Sequence, residues 1–465
     1  MAERAGEFAG KRVTVMGLGL FGGGVGAVRY LAAQGARVTV TDLKPAEQLA
    51  ESVRQLAGID VAFHLGRHDE KDFVETDVLI VNPAVPPASP FLELAQRHNV
   101  ALDTEMNIFM RNCRTRIAAV TGSDGKSTVT TLLAAMLERT GCRVWCGGNL
   151  GVSLLDHLGD ISAPDRVVLE FSSFQLERLS WISRSPHLAV VLNINPNHFD
   201  WHGEMAAYRT AKQNILRFQT PADVAVLNED DPDVTEWRRL TKGRVYGFSA
   251  TRELANGAYL SGNDIVLSLH DEPRRVGLTG LRLRGAHNRL NVAAAALAAA
   301  LVGATPTGIS DAIRDFRGLP HRLESVGEVN GVRYYNDSKA TTPISALAAL
   351  RSFEEPLILI AGGYDKRLPF DELGREAAVR AKAVILLGKA ADKIEEAIPA
   401  VGRRAQVVRA TDLRDAVKRA AALAAPGDVV LLSPACASYD MFRNYEERGD
   451  VFRGAVESIP RGQSR

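Results

Sequence analysis

The stretch Thr121-Gly122-Ser123-Asp124-Gly125-Lys126-Ser127-Thr128 carries the most specific chemistry in the chain. Backbone N–H groups in a glycine-rich turn converge on phosphate oxygens, and a helix starting there adds partial positive charge. Lys126 can reach the terminal phosphates of a nucleotide, and the Ser127 hydroxyl can ligate Mg²⁺. The spacing is not G-x-x-x-x-G-K-[ST], because the first glycine of that pattern would fall at Val120. The turn is a shorter form, Gly-x-x-Gly-Lys-Ser. Mg²⁺ takes oxygen ligands, so a carboxylate should lie nearby. Glu170 ends an apolar run, and the C-terminal ends of parallel strands are where such sheets place ligands. A buried ion pair is the plain alternative for Glu170.

His198 and His202 are four residues apart in Asn197-His198-Phe199-Asp200-Trp201-His202-Gly203, the spacing of a helical zinc pair. No H-E-x-x-H pattern is present, and Pro196 and Gly203 argue against one continuous helix. His198 is therefore read as a ligand or outer neighbour of magnesium. The first glycine turn in the chain, Gly17-Leu18-Gly19-Leu20-Phe21-Gly22, precedes the second, phosphate-type turn and fits G-x-G-x-x-G, and Asp42 ends the following strand, where an acid could reach a ribose hydroxyl. It suits a dinucleotide, any nucleotide diphosphate laid on a helix N-terminus, or a tight turn without ligand.

The elements that position these groups alternate. Residues 12–16, 36–41 and 78–81 read as strands, with a helix over 26–34. The polar, basic stretch 111–116 suits a linker. A strand at 117–120 then runs into the phosphate turn and a helix over 127–140, with further strands at 167–170, 188–193 and 224–228. After Phe316-Arg317-Gly318-Leu319-Pro320, strands are expected at 357–361, 383–387 and 428–433. Strands separated by helical segments imply βαβ units and parallel sheets.

At 465 residues the chain should hold two or three domains. Its formal net charge of +1, without a basic run, argues against a nucleic-acid binder. Cys113, Cys142, Cys146 and Cys436 form no C-x-x-C pair and read as packed thiols. The charged N-terminus MAERAGEFAGKRV has no signal-peptide core, and no apolar run approaches the ~20 residues that span a bilayer. The alanine-rich run over 292–302 is better read as a closely packed helix. A cytoplasmic protein with no membrane insertion is expected.

Taken in order, these residues resemble the Mur ligases, ATP-dependent amino-acid-adding enzymes of peptidoglycan synthesis. The matching stretches begin with the phosphate turn, Gly148-Asn149-Leu150-Gly151, and Leu169-Glu170-Phe171-Ser172-Ser173-Phe174-Gln175-Leu176-Glu177. Asn197-His198-Phe199-Asp200, Tyr208 to Lys212, and Gly285-Ala286-His287-Asn288 with Asn291 follow. Leu319-Pro320-His321-Arg322-Leu323-Glu324, Asn336-Asp337-Ser338-Lys339-Ala340-Thr341 and Leu432-Ser433-Pro434-Ala435-Cys436-Ala437-Ser438 complete the series. Within the family, the Gly-Leu-Gly-Leu turn and the Arg443-Asn444-Tyr445 run resemble the members that add D-glutamate to UDP-N-acetylmuramoyl-L-alanine. The Asp-Asn-Pro-Arg motif of the diaminopimelate- or lysine-adding members is absent.

The resemblance implies a three-domain α/β fold: a Rossmann-like N-terminal domain (1–112), a central P-loop-type ATPase domain with a mostly parallel sheet (113–318), and a C-terminal Rossmann-like α/β domain (319–465). It implies that Gly17, Gly19, Leu20, Phe21, Asp42, Asn149 and His198 hold the UDP substrate. ATP would lie on Gly122, Asp124, Gly125, Lys126, Ser127 and Thr128, with Asn288, Asn291, Arg322 and Asp337. Lys126, Glu170, His198, Lys212, Asp337 and Lys339 would carry the chemistry, and Thr341, Lys366, Ser438 and Tyr445 would bind D-glutamate. Two Mg²⁺ ions are implied, on Ser127, Glu170, His198 and Lys212, the last as a CO₂-derived carbamate. Read from its residue type alone, Lys212 is a solvated helix lysine. A monomer is expected, with domain closure shielding the reaction from water. Four positions depart from the family pattern: Asp124 for Asn, Trp201 for a basic residue, Thr342 for Asn and Tyr445 for Phe.

Two readings from other classes remain. An NAD-dependent oxidoreductase built on the first turn and Asp42 leaves the second turn and Glu170 without a role. A nucleotide switch without catalysis would use the second turn alone.

Overall fold

The computed structural model describes residues 6–461 except 21, 152, 197–198, 270–271, 401 and 403. Among the described residues there are three sheets of five, nine and six strands. The chain divides into two compact units. The first comprises the residues up to 279 with 290–314, and the second 280–289 with 315–465.

The first unit holds two sheets. The five-stranded one is wholly parallel, in the order Val61–Leu65, Arg37–Asp42, Arg12–Met16, Val78–Val81, Ala101–Asp103. Its order reverses beside Arg12–Met16, so the turns after that strand and after Val78–Val81 flank the crevice where open α/β sheets bind ligands. In the nine-stranded sheet Ile117–Thr121 lies between Leu188–Val191 and Arg166–Glu170, all parallel. Val144–Gly148 lies beyond Arg166–Glu170, and Val224–Asn228, Arg244–Ser249 and Gly257–Ser261 extend the other side in parallel. The last two strands, Asp264–Ser268 and Arg274–Gly277, are antiparallel additions that sequence periodicity did not single out.

One apolar core runs through both sheets of this unit, joining Val13, Val15 and Val40 to Ala119, Leu169 and Leu227. The helix Glu105–Asn112 contributes Met106, Ile108 and Phe109 to it. The stretch 111–116 is therefore not a loose linker throughout. Arg111 lies in the last turn of that helix, and its guanidinium donates to Asp103 and Glu7.

The second unit carries the six-stranded sheet, in the order Glu324–Val329, Val332–Asn336, Val429–Leu432, Leu357–Gly362, Ala381–Leu387, Gln406–Arg409. Only its first pair is antiparallel. The central strands are near-continuous apolar runs, as expected of a parallel sheet covered on both faces. The alanine-rich segment forms the helix Ala286–Leu301, of which residues 290–301 belong to the first unit, and Val292 to Ala299 are fully buried. Small side chains let neighbouring elements approach it closely. No helix among the described residues is long and apolar enough to cross a membrane.

Candidate functional site

The phosphate turn connects Ile117–Thr121 to the helix Lys126–Glu138, and Gly125 caps that helix in the left-handed region at φ 82°. A Cβ at Gly125 would lie 2.5 Å from Asn291 Oδ1, so glycine is needed for both dihedral and space. Lys126 Nζ donates to Ser123 O at 2.7 Å. The turn is bound to the segment after Leu188–Val191: Ser123 N donates to Asn193 O at 2.9 Å, and Asp124 N to Asn193 Oδ1 at 2.8 Å. Asn195 Nδ2 donates to Asp124 Oδ2 at 2.9 Å, which gives the additional carboxylate a local partner. Ser127 and Thr128 are buried in the first turn of the helix.

Glu170 is the last residue of Arg166–Glu170 and pairs in register with Val120, two residues before Gly122. It is 2% exposed; Asn149 Nδ2 donates to its Oε1 at 2.7 Å, while its Oε2 is buried with no hydrogen-bond partner. An unpartnered buried carboxylate oxygen is costly, and a cation would satisfy it. The donor set therefore fits the implied magnesium. Among the described residues no three His, Cys, Asp or Glu side chains cluster as metal ligands. His198 lies outside the described residues. His202 ends the four-residue helix Phe199–His202, with its Nε2 2.9 Å from Ser173 Oγ.

Lys212 corrects the reading from residue type alone. It projects from the helix Met205–Arg217 and is 1% exposed, not solvated. Its Nζ donates to Gly122 O at 2.8 Å and to Thr121 Oγ1 at 3.3 Å, directly beneath the phosphate turn. Burial, with the charge of Lys126, holds the amine well below an ordinary lysine, although Glu170 and Asp124 pull the other way. Tyr208, one helical turn earlier, reaches Ser123 Oγ at 2.9 Å.

In the five-stranded sheet the first glycine turn is held by Asp42 and Asn82. Asp42 Oδ2 accepts from Gly19 N at 3.2 Å, and its Oδ1 accepts from Lys44 N at 2.9 Å. The carboxylate thus shapes the turn itself. Asn82 Nδ2 donates to Gly17 O at 3.0 Å, Leu20 is half exposed, and Phe21 lies outside the described residues.

The second unit gathers its residues at the C-terminal ends of its central strands. Asp337 follows Val332–Asn336; Ser433 Oγ donates to its Oδ2 at 2.8 Å and Leu323 N to its Oδ1 at 3.1 Å. Burial outweighs these bonds and the nearby Arg322 and Arg448, and pushes the carboxyl up to about 7. Lys339 Nζ sits 5.5 Å from the centre of the Tyr445 ring. Exposed Lys366 donates to Thr341 Oγ1 at 3.4 Å, and Ser438 is buried. Asn288 belongs to this unit, whereas Asn291 belongs to the first.

Sequence reasoning missed Arg448, which holds these loops together. Its buried guanidinium donates to Ser338 Oγ, Ser338 O and Cys436 O at 2.7–3.0 Å, and Ser338 Oγ donates to Tyr445 O. The available signal was spacing: Arg448 shares a face of the helix Tyr445–Glu457 with Phe452, Ala455 and Val456.

The raised value at Asp337 has a fixed sign. For this group the fold is most stable below the ordinary carboxyl value of 3.8 and loses stability as pH rises through about 7. In urea unfolding, the stability of Asp337→Asn minus that of the parent should rise by roughly 2 kcal/mol or more from about pH 4 to about pH 8. A pH-independent difference would contradict a buried, strained carboxylate.

Three consecutive stretches match known domains: residues 11–102 the Mur ligase MurD-like N-terminal domain, 120–299 the Mur ligase middle domain, and 321–436 the Mur ligase glutamate ligase domain. The chain is 45% identical to the UDP-N-acetylmuramoylalanine--D-glutamate ligase of Roseiflexus sp., over 97% of this chain and 100% of the relative. It is 41% identical to the protein of the same name in Symbiobacterium thermophilum, over 97% and 98%. The fold is shared with the UDP-N-acetylmuramate-alanine ligase MurC of Thermotoga maritima (TM-score 0.63, 19% identity, 96% of this chain and 99% of that one). A MurF ligase of Thermotoga maritima in complex with ADP is similar too (TM-score 0.59, 18% identity, 98% and 97%). With three domains matched in order and relatives this similar across nearly the whole chain, the chain belongs to the Mur ligase family.

Proposed function

We propose that this Mur ligase uses ATP to join D-glutamate to UDP-N-acetylmuramoyl-L-alanine in the cytoplasm, during peptidoglycan precursor synthesis. One observation carries the ATP chemistry: a glycine-capped helix N-terminus bearing Lys126 and Ser127, with the buried, unpartnered Glu170 Oε2 on the neighbouring strand. The acceptor identity is supported by relatives of that name at 41–45% identity.

In this reading the segments 1–112, 113–318 and 319–465 act as UDP-binding, ATP-binding and amino-acid-binding domains. The turn N–H groups and Lys126 bind the ATP phosphates, with Gly122, Asp124, Gly125, Ser127 and Thr128 lining the turn. Asn288 and Asn291 approach the adenine; Arg322, Asp337 and Lys339 reach the nucleotide. Gly17, Gly19, Leu20, Phe21, Asp42, Asn149 and His198 hold the UDP substrate, and Thr341, Lys366, Ser438 and Tyr445 meet the carboxylates of D-glutamate. Ser127 and Glu170 would hold one Mg²⁺, and His198 with carbamylated Lys212 a second; the metal supplies charge neutralisation at the phosphate oxygens.

The L-alanyl carboxylate attacks the γ-phosphorus, ADP leaves, and the D-glutamate amine then attacks the acyl carbon to expel phosphate. The protein's share is positioning and charge complementarity. Oxygen-18 in the alanyl carboxylate should therefore appear in the released phosphate, one atom per turnover; unlabelled phosphate would contradict the acyl phosphate.

The depressed amine of Lys212 suits carbamylation, because only a neutral amine attacks CO₂. Equilibration with carbon-13 bicarbonate should give a carbamate signal by NMR that Lys212→Arg lacks. The same spectrum from both proteins would remove the carbamate from the account.

A further inference from the structure

Arg178 is 2% exposed, yet no carboxylate lies within ion-pair distance of it among the described residues; Glu177 acts on it only through space, and its guanidinium stands 5.7 Å from the centre of the Trp181 ring. It sits near the end of the helix Ser173–Leu179, which starts three residues after Glu170 and is fixed by a reciprocal cap between Ser172 and Gln175. Its guanidinium crosses to the five-stranded sheet and donates to three backbone carbonyls: Asn82 O at 2.5 Å, Val81 O at 3.4 Å, and Val85 O. From the other side, the fully buried Asn107 donates through Nδ2 to Arg178 O at 2.9 Å.

The segment so gripped is the one that braces the first glycine turn. Asn82 N donates to Met16 O at 3.0 Å and Asn82 Nδ2 to Gly17 O at 3.0 Å, while its Oδ1 accepts from Ala84 N at 2.9 Å. Gly17 packs so closely that a Cβ there would stand 2.9 Å from Asn82 Cβ. Burying a guanidinium without a counter-charge is an expensive way to fill a core, and an apolar side chain would generally do it at lower cost. A planar fork that captures three carbonyls at once fixes a loop as an apolar group cannot.

We propose that Arg178 is a positioning residue for the nucleoside-diphosphate substrate, fixing residues 82–85 so that Asn82 sets the glycine turn that receives the diphosphate. The helix that follows the ATP-site carboxylate thereby also shapes the site for the other substrate. This rests on the reading that the 17–22 turn holds the UDP end.

Calorimetric titration of the full chain with UDP-N-acetylmuramoyl-L-alanine and, separately, with a non-hydrolysable ATP analogue tests it. Arg178→Met should weaken the uridylylated substrate by about tenfold or more and the ATP analogue by less than about twofold. Arg178→Lys should fall between, because one ammonium cannot serve three carbonyls in the plane of a fork. Asn82→Ala, which leaves Arg178 in place, should reproduce the selective loss and carries the test if Arg178→Met does not fold. Equal weakening of both ligands, or an unchanged affinity for the uridylylated substrate, overturns the proposal. Gly19→Val separates the two layers. If it binds the uridylylated substrate normally, the reading of the turn fails; if it abolishes binding while Arg178→Met and Asn82→Ala do not, only the role of Arg178 fails.

Discussion

The hydrogen bond from Lys212 Nζ to Gly122 O ties together most of what the first unit does. A turn that aims its N–H groups outward at an anion must turn carbonyls inward, and buried carbonyls need donors. Lys212 supplies one from below, while Asn193 and Asn195 fasten the turn from the neighbouring strand end. The same demand draws the amine of Lys212 into the core, beside Lys126 and within the field of Glu170, where its proton is weakly held. Geometry of the turn, burial of the lysine and chemistry of the amine are consequences of one constraint.

A related logic governs the second unit. Loops carrying Asp337, Lys339, Thr341 and Ser438 leave different strands, and Arg448 binds two of them through three backbone or hydroxyl oxygens. Burial pulls its guanidinium down to about 10, which leaves it charged at neutral pH. Burial of Asp337 works in the opposite direction and makes that carboxylate receptive to a cationic partner. Arg178 and Arg448 thus do similar work: each is a buried forked cation, with no ion pair among the described residues, that gathers several oxygens, Arg178 from the single segment 81–85 and Arg448 from two loops.

The sequence made much of this legible. Strands 12–16, 78–81 and 224–228 have the bounds their β-branched runs predict, and Glu170 ends its strand beside the phosphate turn as its place after an apolar run requires. Periodicity singled out neither Asp264–Ser268 and Arg274–Gly277 nor Val61–Leu65, Ala101–Asp103, Val144–Gly148, Arg244–Ser249, Gly257–Ser261, Glu324–Val329, Val332–Asn336 and Gln406–Arg409, most of which flank the central strands or lie at a sheet edge. Asp42 sits at the predicted strand end, and its oxygens accept the N–H groups of Gly19 and Lys44, local bonds that periodicity cannot express. Lys212 was misread because residue type was weighed above spacing. Tyr208, Ala211, Lys212 and Ile215 form one buried stripe, and a lysine on such a stripe is a buried lysine.

The most direct test of the account is ADP release by the purified protein with ATP, Mg²⁺ and UDP-N-acetylmuramoyl-L-alanine, with D-glutamate compared against L-glutamate, D-aspartate, lysine and diaminopimelate. Turnover that requires D-glutamate is the predicted result. Turnover with another acceptor would discard the roles given to Thr341, Lys366, Ser438 and Tyr445, and ADP release with none of them would contradict the ligase reaction itself.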